Sequence, residues 1–128
     1  MKKVIDLSIL MTDFDGTPIK EQVEVGEGEN ARFEMKSITL KDALLGYIRR
    51  ADKMGLSRSE QEIAYTLGFI LAKEENSLEL TTEQYNIIKK LADNGEMTLP
   101  NGTKQPIYGF ILKNQTRAGV DKATNVEE

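Results

Sequence analysis

The sequence predicts an α+β protein in which an N-terminal antiparallel β-hairpin or three-stranded meander is followed by three or four short helices. Three observations carry this reading. Residues 5–11 largely alternate apolar and polar, and the alternation returns at 23–25 and 33–35, which is the two-residue period of a half-buried strand. Beyond Ile38 the apolar spacing lengthens to that of a helix. Finally, Thr39/Asp42, Ser57/Glu60 and Thr81/Gln84 each place a hydroxyl three residues before an acid or amide, the pattern that closes a helix N-terminus reciprocally.

Taken in order, Ile5, Leu7, Ile9 and Met11 share one side of the first strand, with Leu10 out of phase. Val23 and Val25 flank Glu24, and Phe33 and Met35 flank Glu34, so residues 3–38 read as a meander turning at the acidic "GEGEN" of 26–30. A first helix follows the Thr39 cap with Leu40, Ala43, Leu44, Tyr47, Ile48 and Ala51 as its apolar stripe, and Gly55 ends it. Ser57 opens a second helix with Ile63, Leu67, Ile70 and Leu71 inward. Thr81 opens a third, with Leu80 and Tyr85 as a hydrophobic staple, and Asn94-Gly95 stops it. "LPNGTKQP" at 99–106 is a loop. Pro106 suits the first position of a fourth helix carrying Ile107, Phe110 and Ile111, although a strand reads nearly as well through this almost continuously apolar run. Residues 1–113 thus form one domain, and the polar, unpatterned 114–128 reads as a mobile tail.

At 128 residues the chain suits one ordinary core. With a net charge of −4 it has no general attraction for nucleic acid or anionic lipid. It contains neither cysteine nor histidine, which excludes disulfides, thiolate nucleophiles, imidazole acid/base chemistry and the usual zinc ligands. No apolar run approaches membrane-spanning length and no signal peptide is evident, so the expected compartment is the cytoplasm.

Two motifs invite sharper readings. Asp13-Phe14-Asp15-Gly16-Thr17 after an apolar strand resembles the first motif of haloacid-dehalogenase phosphohydrolases. That resemblance implies a metal-dependent enzyme with Asp13 as nucleophile and Asp15 as acid/base. It also implies a doubly wound sheet, a later lysine or arginine on a helix, and a second acidic pair after a buried strand. The alternating strand, the non-helical "PIKEQVEVGEGEN" and the missing acidic pair all disagree, whereas Asp-Gly is a favoured hairpin turn. The residues therefore predict a turn and no catalytic residue. Glycine placement also excludes an EF-hand, and strand alternation sends Glu21 and Glu24 to opposite faces, so no metal or cofactor site is expected.

In "ADKMGLSRSEQEIAYTLG", Ala51, Gly55, Leu56 and Ser57 resemble the core of a helix-turn-helix DNA-binding motif. Gln61 replaces the expected aliphatic residue, and the would-be recognition helix sets Arg58 among Glu60 and Glu62, poor chemistry for phosphate. No duplex DNA binding is expected.

The stretches "ITLKDALLGYI" and "LELTTEQYNIIKKLADNG", within a hairpin-then-helices plan, resemble small accessory proteins of tailed phages and prophages. The resemblance implies no activity, and the expected role is non-enzymatic binding of another protein or of itself; in a phage this would be a morphogenesis factor or an inhibitor of a host protein, acting in the host cytoplasm. Tyr65, Phe69, Tyr108 and Phe110 are the candidate interface. At roughly 100° per residue, Tyr65 lies about 160° around its helix from Ile63, so one buried stripe does not take both. On this reading association uses helical surface, because an acidic hairpin repels its own copies.

Overall fold

The computed structural model describes residues 2–126. β1 (Lys2–Asp6) buries Ile5 but covers only the first two residues of the alternating stretch 5–11 and stops well before its apolar pattern does. The cause is local. The Asp6 carboxylate accepts hydrogen bonds from the Ser8 backbone N–H at 2.9 Å and hydroxyl at 2.6 Å, and this side-chain turn displaces strand pairing. The chain then passes through the predicted turn at Asp13–Thr17 into β2 (Lys20–Val25), a single 3-10 turn at Gly28–Asn30, and β3 (Arg32–Ser37).

β2 and β3 form the expected antiparallel hairpin, with Glu24 opposite Phe33 and Gln22 opposite Met35. The third strand of the expected meander is elsewhere. β1 pairs neither of them; it lies between β4 (Ser77–Thr81) and β7 (Thr124–Val126), antiparallel to both. Ile5 opposes Leu78 and Lys3 opposes Leu80, so one face of this sheet carries the buried side chains. The hairpin projects as an arm. Its base is tied down by a ring of backbone bonds: Met11 N–H to the Ile38 carbonyl, Ile38 N–H to that of Ile19, and Ile19 N–H to that of Met11.

All three predicted capping boxes form. Thr39 opens α1 (Leu40–Arg49), Ser57 opens α2 (Arg58–Lys73) and Thr81 opens α3 (Thr82–Asn94), each accepting from the backbone N–H three residues on. Gly95 ends α3 at φ +64°, a left-handed conformation that suits a residue without a Cβ. α1 stops sooner than predicted, at Arg49. Ala51 falls in a separate 3-10 turn, Ala51–Lys53, and remains buried. Leu40, Leu44, Tyr47, Leu67, Leu71, Ile88 and Leu91 fill the space between the helices and the sheet's inner face.

The C-terminal region departs most from expectation. Pro106 does not begin a helix: it ends β6 (Lys104–Pro106), which pairs with β5 (Glu96–Thr98) across the loop containing Gly102. The fourth helix, α4 (Phe110–Asp121), begins after Gly109 and continues through most of the residues expected as a tail. Thr116, Gly119 and Val120 are buried, and β7 then completes the sheet; residues 127 and 128 lie outside the described residues. Leu112, Thr116, Gly119 and Val120 do fall on one helical face. The face went unread because Thr and Gly are not apolar markers. Their smallness is what matters: a Cβ added at Gly119 would stand 2.7 Å from Leu40 Cδ2, so the helix approaches α1 closely.

Candidate functional site: an exposed aromatic face on α1 and α2

α2 is amphipathic, and its inner stripe of Ala64, Leu67 and Leu71 is satisfied by the core. Tyr65 and Phe69, one turn apart on another side, are left in solvent at 70% and 58% exposure. Their rings meet edge to face, 5.1 Å between centroids, a preferred aromatic geometry. Across a shallow depression of about 500 Å³ lie Leu45 and Ile48 of α1, with Gly68 and Ala72 on the near side. Gly68 brings the two helices together, since a Cβ there would touch Ile48 Cγ2 at 3.2 Å. Arg49 edges this depression and two neighbouring ones, and its guanidinium has no ion-pair partner among the described residues.

Of the four aromatic residues singled out in the sequence, Tyr65 and Phe69 are thus brought together. Phe110 is equally exposed, at 69%, but sits at the start of α4 beside Lys113, Asn114 and Arg117. Tyr108 turns inward: its hydroxyl donates to the Ala43 carbonyl at 2.6 Å and its ring packs 4.9 Å from that of Tyr47. Its hydroxyl fits only because position 46 is glycine. Leu45 and Arg49 were missed as members of the face. Leu45 offered a weak signal, being a large apolar residue just outside the α1 stripe.

Tyr47 is wholly buried and its hydroxyl has no hydrogen-bond partner among the described residues. Burial, with Tyr108 beside it, pushes its pKa up to about 12; burial does the same for Tyr108, also to about 12. Both folded values lie above the ordinary tyrosine value of roughly 10. The neutral phenols therefore favour the fold fully below about pH 10, and this stability is lost as pH rises through 12. Tyr47→Phe is expected to raise the melting temperature by a few degrees, about 1 kcal/mol, by removing an unpaired buried hydroxyl. It should also make the alkaline loss shallower. Thermal melts of both proteins from pH 8 to 12 check this; a lower melting temperature at pH 8 would contradict it.

The other motifs resolve into local structure. Asp13 and Asp15 occupy a turn in which Gly16 N–H bonds the Asp13 carbonyl at 2.9 Å and Gly16 takes φ +87°. The Asp15 carboxylate accepts from Thr17 N–H at 2.9 Å, which lowers its pKa, so it caps its own turn. Among the described residues no cluster of three acids is placed to hold a metal. In the helix-turn-helix stretch, Gln61 donates to the Leu56 carbonyl, while Glu60 caps α2 and pairs with Lys90 at 3.0 Å. Among the described residues, no helix is long and apolar enough to cross a membrane. Comparison with known protein families, curated proteins and solved structures finds no match.

Proposed function

We propose that this protein acts without catalysis, by binding another protein through the α1–α2 face centred on Phe69 and Tyr65. One observation carries the reading. The core is filled by other residues, yet two touching aromatic rings stay in solvent beside Leu45, Ile48 and an unpaired Arg49. Tyrosine, other aromatics and arginine around a depression are the composition of binding hot spots. We further propose a cytoplasmic setting for this binding.

The test compares wild-type protein with Phe69→Ala and, as a control aromatic on another surface, Phe110→Ala. Each is immobilised and exposed to extract of the producing cell. A partner held in fixed stoichiometry by wild type and Phe110→Ala, but about 30-fold more weakly by Phe69→Ala, is the expected result, equivalent to about 2 kcal/mol for a central aromatic. Melting temperatures should be unchanged, because the ring contributes little to the core. Capture that ignores Phe69 would overturn the proposal.

A further inference from the structure

A two-stranded hairpin standing alone in water is marginal, because nothing covers its faces. The β2–β3 arm is such a hairpin. Phe33 and Met35 lie on one face of β3, 66% and 63% exposed, and among the described residues β3 pairs only with β2, leaving its outer edge open. Exposed apolar residues on an open edge are a template for a further strand. We propose that the occupant is a second copy of this chain, its β3 paired antiparallel with the first across a two-fold axis to make a four-stranded sheet.

Charge selects both partner and register. Opposed residues of an antiparallel pair share a face, so a symmetric pair that keeps Phe33 and Met35 of both copies on one side has its axis on a residue. An axis at Glu34 opposes two glutamates once and sets Arg32 against Lys36 twice, three like-charge pairs in contact. An axis at Phe33 runs each strand into the other copy's 3-10 turn at Gly28–Asn30. With the axis at Met35, residues 33–37 of both copies pair. Glu34 of each copy meets Lys36 of the other, Met35 meets Met35, and Phe33 lies diagonal to Met35. That register alone is both long and complementary.

The opposite face of β3, with Arg32, Glu34 and Lys36 in alternating sign, shows the same order within one chain, where Arg32 Nε already reaches Glu34 Oε1 at 2.9 Å. The arm's acidity resides on β2 and the tip, at Glu21, Glu24, Glu27 and Glu29. In the paired sheet the two β2 strands stand about 14 Å apart. That exceeds the roughly 8 Å over which charges act at physiological salt, so repulsion between the acidic strands does not forbid the pairing.

The experiment measures mass in solution over a dilution series. Wild type is expected at twice its 14.4 kDa at high concentration. Glu34→Lys and Lys36→Glu should each dissociate at least about tenfold more readily, because each sets like charges opposite one another twice. An equimolar mixture of the two restores opposite charges at both pairs and should recover the dimer. Independently, since the chain has no cysteine, Met35→Cys places a single thiol on the axis. It should oxidise to a covalent dimer much faster than Phe14→Cys, an even more exposed position off the arm edge. A wild-type monomer at high concentration overturns the inference, as do equal cross-linking rates or charge variants that dimerise unchanged. Dimer loss on Phe69→Ala instead would assign self-association to the helical face and likewise overturn it.

Discussion

Truncation after Lys113 is expected to abolish cooperative unfolding. The removed residues read as a polar, mobile tail, so composition alone predicts little change. In the structure they supply the buried side of α4 and the strand β7 that completes the sheet beside β1. Val120 is fully buried, and losing it alone removes roughly 1.5–3 kcal/mol. Its carbonyl also accepts the buried Tyr85 hydroxyl at 3.0 Å, a bond worth about 1 kcal/mol. Gln115 grips the backbone of Thr12 from both its N–H and its carbonyl, over more than a hundred residues of chain. Withdrawing α4 further uncovers Leu40, against which Gly119 packs. These losses together are comparable with the roughly 5–15 kcal/mol that stabilises an ordinary domain. Far-UV circular dichroism during urea titration checks the expectation; a truncated protein with a sigmoidal transition near that of wild type would refute it.

Gly46→Ala is expected to destabilise by about 2 kcal/mol, although alanine is the better helix former by about 1 kcal/mol. Gly46 lies inside α1, where the general preference favours the substitution. The new Cβ would stand 1.9 Å from the Tyr108 hydroxyl oxygen. That oxygen cannot simply step aside, because it ends a rigid ring held by the Ala43 carbonyl and by Tyr47. Expelling the ring loses its packing and uncovers part of Tyr47. The cause is isolated by repeating the change in a Tyr108→Ala background. There Gly46→Ala should become neutral or stabilising, so the destabilisation vanishes or reverses sign across the double-mutant cycle. A destabilisation of equal size in both backgrounds would show that Tyr108 is not its source.

Features whose causes lie within about one helical turn were legible in the residues alone. Thr39, Ser57 and Thr81 open helices because each hydroxyl finds a backbone N–H three residues on, whatever the rest of the chain does. Gly16 and Gly95 mark a turn and a helix stop for an equally local reason, the backbone conformation that a Cβ disfavours. The β2–β3 hairpin was legible too, because its strands adjoin in sequence. The partners of β1 became visible only in the folded chain. Alternation fixes which face of a strand is buried but says nothing of its neighbour, and Leu78 and Val126 come from far along the chain. The burial of α4 likewise appears only there, since the small residues Thr116 and Gly119 become core only when Leu40 is brought against them. The candidate site divides in the same way. The sequence could show that Tyr65 and Ile63 do not share a stripe. Whether a displaced aromatic meets solvent or another element depends on what packs beside it: Tyr108 found Gly46 and Tyr47, while Tyr65 and Phe69 meet each other at the rim of an open depression and stay largely in solvent.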